Sequence, residues 1–102
     1  MAISLQVIYP ITKGSTFDYD YYATKHIPLV AEHLGSFVED MLVTKGVAGG
    51  QGTPPAYYAI ASMIFPDQSQ FDAAMGIADP VLADVPNFTN ITPQMLIGEV
   101  IE

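Results

Sequence analysis

The sequence has no cysteine, no tryptophan and no arginine, and only three lysines stand against 11 acidic residues. Each absence removes a class of function. Without cysteine there is no disulfide framework, zinc ribbon, thiol nucleophile or iron–sulfur cluster. A formal charge of −8 repels phosphate backbones and anionic headgroups, which need clustered cations, so neither nucleic acid nor a membrane surface is an expected partner. Long apolar runs are missing too. The longest uncharged stretch, Gly46 to Pro66, is broken by Gly-Gly-Gln-Gly-Thr-Pro-Pro, and only Ala56 to Phe65 is strongly apolar. The opening Met1-Ala2-Ile3-Ser4-Leu5 has neither the basic start nor the apolar core of a secretory signal, so a cytoplasmic location is expected.

What is present is a half-apolar chain of 102 residues, about one domain's worth, and residues 1–102 are read as a single domain. Ala2 to Tyr9 alternates as a strand that Pro10 ends. Asp18 is placed to cap a helix running to Leu34, where Gly35 stops it, and Pro28 interrupts that helix with a kink near His26. Ser36 to Val47 reads as a second strand, followed by a glycine-rich loop to Pro55. Ala56 to Phe65 is a third strand with two apolar faces. Asp67 caps a second helix that carries Phe71, Ala74, Met75 and Ala78 on one face and ends at Asp79-Pro80. Pro80 to Pro93 reads as a short helical turn plus loop, its Asn-x-Thr triplets as ordinary polar loop residues, and Gln94 to Ile101 as a fourth strand.

The order strand, helix, strand, strand, helix, strand is that of an α+β, ferredoxin-like βαββαβ subunit, with helices on one face of a four-stranded antiparallel sheet. The third and fourth strands are apolar on both faces, and a soluble monomer rarely leaves such a face open, so a homodimer packed sheet to sheet is expected.

The densest cluster of chemistry-bearing residues runs from Asp18 to Leu29. At helical spacing Tyr22 and His26 share an inward face, and His33 lies seven residues beyond. Two readings of His26 stand side by side. It is either a core histidine satisfied by a backbone carbonyl, or a general acid/base with one ring nitrogen on the Thr24 carbonyl that Pro28 frees and the other facing a pocket. His26 and His33 are too far apart on a helix to share a metal ion, and no metal is expected. Tyr9, Tyr57 and Tyr58 are pocket hydroxyls or amphipathic strand residues. The glycine-rich loop lacks the lysine of a phosphate loop, there is no nucleophile elbow, and the carboxylates read as caps and surface.

Three segments taken together carry a resemblance. They are Val7-Ile8-Tyr9-Pro10, then Asp20-Tyr21-Tyr22-Ala23-Thr24-Lys25-His26-Ile27-Pro28-Leu29, then Asp84-Val85-Pro86-Asn87-Phe88-Thr89 with Pro93 beyond. In order and spacing the chain resembles the EthD family, small proteins of the dimeric α/β-barrel superfamily named after a component of ethyl tert-butyl ether degradation. The resemblance implies a ferredoxin-like subunit, a dimeric barrel and a pocket between sheet and helices in each subunit. It also implies a helix-one histidine, here His26, that transfers protons, as in related methylmuconolactone isomerases, and it brings in His33 and Asn87. The leading expectation is therefore cofactor-free isomerisation or dehydration of a mostly apolar oxygenated compound in catabolism or secondary metabolism. In it His26 is the catalytic group, and Tyr9, Tyr22, Asn87 and His33 bind the substrate. The alternatives are a non-catalytic accessory binder of a hydrophobic intermediate in an oxidative degradation system, and a haem-binding barrel with His26 or His33 as axial ligand.

Overall fold

Alternating apolar residues set the sheet. In the computed structural model, which describes Met1–Glu102, the strands are β1 (Ile3–Pro10), β2 (Asp40–Lys45), β3 (Tyr57–Phe65) and β4 (Gln94–Glu99). They form one antiparallel sheet in the order β2-β3-β1-β4, the ferredoxin-like arrangement that the element order predicts. The central strand β1 sets Leu5 against Met63 on one side and Ile97 on the other. At its end the register slips, so that Tyr9 faces Ala59 and Pro10 faces Tyr57. Tyr58 is then the extra residue of a bulge, at the point where Pro10 has no N–H to offer.

Two strands are shorter than their patterns predict. The chain after the first helix is still turning at Phe37 and Val38, whose N–H groups bond to Leu34 and Gly35, so Ser36 to Val38 cannot pair. At the other end β4 stops because β1 runs out, the last bond running from Val100 N–H to the Ala2 carbonyl. The β2–β3 connection turns tightly through Gly50 and Gly52, at φ 94° and 77°, where a side chain would be strained.

The predicted Asp18–Leu34 helix is built in three pieces: α1 (Tyr19–Tyr21), a π turn (Tyr22–His26) and α2 (Ile27–Leu34). Asp18 caps it, accepting from the Tyr21 N–H. Pro28 lies in the first turn of α2, where its missing N–H does no harm, and the Ile27 N–H reaches back five residues to the Tyr22 carbonyl. The expected kink thus takes the form of one widened turn. Asp67 caps α3 (Gln68–Met75) as predicted, and Asp79-Pro80 opens a further short helix, α4 (Asp79–Asp84), which continues as a 3-10 turn (Val85–Asn87). The Asn-x-Thr triplets are more than loop filler. Buried Thr89 donates to the Thr16 carbonyl, while Asn90 accepts from the Thr16 N–H and donates to the Gly14 carbonyl, clamping the loop before α1 onto the segment after α4.

Helices cover the sheet face that carries Leu5, Met63 and Phe65, where Val30, Leu34, Phe71, Ala74, Ala78 and Val81 complete the main core. The opposite face presents Ile8, Ile60 and Ile64, all half-buried, with Leu42 and Leu96 65% and 55% exposed at its edges. Polar residues interrupt it: Gln6 Nε2 donates to Ser62 Oγ at 3.3 Å in the central row, and Ser4, Asp40, Thr44 and Gln94 share the face.

Phe65 is fully buried and meets the Phe71 ring edge-on, with centroids 5.3 Å apart. Phe65→Ala is expected to destabilise the fold by about 3–5 kcal/mol, read as a lower urea midpoint; a loss under about 1 kcal/mol would contradict this account of the core.

A candidate histidine–aspartate site beside two cavities

The π turn brings Tyr22 and His26 into register. Their rings stack at 5.6 Å with planes 18° apart, and both side chains are buried. Phe88, just past the 3-10 turn, packs against both rings, 4.5 Å from the imidazole and 5.1 Å from Tyr22. These rings belong to a larger aromatic cluster with Tyr9 and Phe17, into which the bulge turns Tyr58 to stack on Phe17 at 5.3 Å.

At the end of α4, Asp84 Oδ2 lies 2.9 Å from His26 Nδ1. Its other oxygen, Oδ1, accepts from the Tyr21 hydroxyl at 2.7 Å and from Asn87 Nδ2 at 2.9 Å. Burial pushes the Asp84 carboxyl up, but hydrogen bonds from Asn87, Tyr21 and His26 outweigh it and hold the group below the usual carboxylate range. The carboxylate is therefore ionised at neutral pH and can only accept, so His26 Nδ1 carries the proton. Burial in turn lowers the His26 pKa, against the opposing pull of Asp84. The ring is neutral at pH 7, with its Nε2 lone pair free: an oriented base, held by a carboxylate in the manner of hydrolytic triads but with no nucleophile attached.

His26 faces a small apolar cavity of about 40 Å³, which Tyr9, Tyr22 and Ile27 also line. That is room for about one water molecule. Tyr22 and Ile27 in turn form the wall shared with a larger cavity of about 340 Å³, lined further by Tyr19, Ala23, Val43 and Lys45. Burial pushes both the Tyr9 and Tyr22 phenols up, Tyr22 to about 12, so both remain protonated donors. The Tyr22 hydroxyl is fully buried and has no hydrogen-bond partner in the protein.

Of the residues singled out in the sequence, Tyr9, Tyr22 and His26 come together around the small cavity. Asn87 does not line it; its amide is spent on Asp84, on the far side of the imidazole. His33 lies in the last turn of α2, two helical turns beyond His26 and so about 10 Å along the axis, and it lines neither cavity. The partner of His26 is the Asp84 carboxylate rather than the Thr24 carbonyl. Asp84 was grouped with the surface acids, and Tyr21 had no role. The available signal was the three-residue spacing of Asp84 and Asn87 after a helix-opening Asp79-Pro80.

A domain profile described as EthD domain matches residues 15–92. The chain is similar to an EthD-like protein from Ralstonia eutropha JMP134, at 39% identity and a TM-score of 0.87, over 99% of this chain and 93% of that one. It is also similar to an ethyl tert-butyl ether degradation (EthD) family protein from Bacillus halodurans C-125, at 22% identity and a TM-score of 0.78, over 99% and 100% of the two chains. More distantly it shares the fold of SnoaB, a cofactor-independent oxygenase from Streptomyces nogalater, at 7% identity and a TM-score of 0.64, over 99% and 93%. No curated protein matches the sequence. No helix is long and apolar enough to cross a membrane.

The pairing predicts a pH response. Because the folded-state pKa of His26 is lowered from 6.5, the unfolded chain binds this proton first. Stability from this group is complete above about pH 6.5 and is lost as pH falls through the folded value. Asp84, lowered from 3.8, adds a second loss below that. Melting temperature is expected to drop between pH 7.5 and 5, and less so in His26→Gln. In Asp84→Asn, which removes the interactions that raise the imidazole pKa, the His26 NMR titration should move further down; an upward move would refute the assignment.

Proposed function

The chain belongs to the EthD family, and from that premise we propose that it serves small-molecule catabolism or secondary metabolism by proton transfer at His26 Nε2. The reaction class is cofactor-free isomerisation or dehydration of a mostly apolar oxygenated compound. The supporting observation is the Asp84-held imidazole at 2.9 Å, neutral and with Nε2 unpaired beside apolar walls. In an isomerisation the C–H bond next to a carbonyl breaks and its proton passes to Nε2. The electron pair moves onto the carbonyl oxygen, and Nε2 returns the proton to a different carbon. No oxidant is needed. Asp84 keeps the Nδ1 proton in place and stabilises the transient imidazolium, and the Tyr22 ring, stacked on the imidazole, packs against the substrate. Tyr9 orients the substrate from β1, and Asn87 acts through Asp84.

One observation favours a second reading, a non-catalytic binder of a hydrophobic intermediate in an oxidative degradation system. The roomy cavity of about 340 Å³ is of ligand size, yet His26 is not part of its wall. Productive chemistry therefore needs Tyr22 or Ile27 to yield. Haem as ligand has less support, since the space at His26 is about 40 Å³. We further propose a homodimer that covers the face of Ile8, Ile60, Ile64, Leu42 and Leu96, because a monomer rarely leaves this many large apolar side chains together on an uncovered sheet face.

Two measurements test these proposals. Unsaturated lactones and cyclic diketones incubated with the protein in D2O should exchange acidic C–H protons, read by NMR, with His26→Ala slower by about 10² to 10⁴. Saturable binding with no exchange would replace the enzyme reading with the binder. In sedimentation equilibrium the protein should be a dimer at micromolar concentration and Ile60→Glu a folded monomer; a wild-type monomer would overturn the interface.

A further inference from the structure

Lys45 is one of three cations in a chain with 11 acids, yet no carboxylate pairs with it; the single ion pair is His26–Asp84. Its ammonium sits 4.3 Å above the centre of the Tyr19 ring, on the wall of the larger cavity. That ring is itself fixed, its hydroxyl donating to the Tyr58 carbonyl at 2.9 Å and its edge packed on Phe17 at 4.9 Å. The aromatic face holds the cation without neutralising it or using up its N–H donors. The rest of the cavity wall is apolar: Tyr22 contributes its ring, its hydroxyl being sealed from solvent, and Thr44 sits in β2 with its neighbours Val43 and Lys45 on the cavity side. An apolar chamber with one uncompensated cation on its wall is complementary to a particular kind of molecule.

We propose that the larger cavity takes a flat, apolar compound bearing a carboxylate, with the carboxylate on Lys45 Nζ and the apolar body against the Tyr22 ring and Ile27. This rests on the proton-transfer reading and names its substrate class. Seated so, the body of the molecule runs from Lys45 along Tyr22 toward Ile27, the residues that divide this cavity from the one at His26. From a distance the chain's charge of −8 disfavours any anion. That field fades over about 10 Å in 0.1 M salt, so recognition of an acid depends on contact with Lys45.

The test is a calorimetric and NMR titration of 2-naphthoate and, separately, uncharged 2-naphthamide into wild type, Lys45→Met, Lys45→Arg and His26→Ala. The acid should bind wild type more tightly than the amide and shift the amide signals of Tyr19, Val43 and Lys45. Lys45→Met should weaken the acid roughly tenfold and leave the amide unchanged, with Lys45→Arg retaining the preference. His26→Ala should bind the acid as wild type does, so that loss of proton transfer and loss of acid recognition are read apart. Equal binding of acid and amide, indifference of the acid to Lys45→Met, or no binding of naphthoate at millimolar concentration would each overturn the proposal.

Discussion

One carboxylate holds the candidate site together. Asp84 accepts from Tyr21 at the end of α1, from His26 at the end of the π turn and from Asn87 in the 3-10 turn, so three segments converge on a single side chain. Each bond also has an electrostatic consequence. The three donors keep Asp84 ionised despite burial, its ionisation fixes the proton on Nδ1, and that leaves Nε2 basic. The geometry of the base and its protonation state thus have the same origin.

The π turn is the structural condition for this convergence. Pro28 has no N–H to continue the α pattern, and just before it the turn widens, the Ile27 N–H pairing with the Tyr22 carbonyl five residues back. It also lets Tyr22 and His26 lie flat against one another between Phe88 and the sheet. π turns inserted in α-helices are common at functional positions, and here the inserted turn carries Tyr22, which borders both cavities, and His26, which borders the smaller one.

Much of the fold was legible in the sequence because its determinants are local. Alternation in Ile3 to Tyr9 and Tyr57 to Phe65, and the capping carboxylates Asp18 and Asp67, gave the element order directly. His26, Tyr22 and Tyr9 were legible as candidates from helical spacing and from the Tyr-Tyr-x-x-Lys-His-x-Pro string. Asp84 was not, because its role depends on a partner 58 residues away and nothing local separates it from the other acids. The same holds for Tyr58, whose direction is set by a bulge opposite Pro10, and for Lys45, whose meaning lies in the lack of an acid beside it. Pattern reading reports what a residue repeats; these three are defined by what the fold brings to them or withholds.

The pairing of Ile3 with Glu99 and of Ile8 with Gln94 has a consequence for how the chain is made. β1 is synthesised first but lies inside the sheet, with one flank reserved for β4, the final strand to be translated. Until residues 94–99 leave the ribosome, that flank of β1 is an open backbone edge next to the apolar row that carries Ile8. Such an edge is a template for another nascent chain. Pairing with β4 thus removes a site of misassembly as well as closing the sheet.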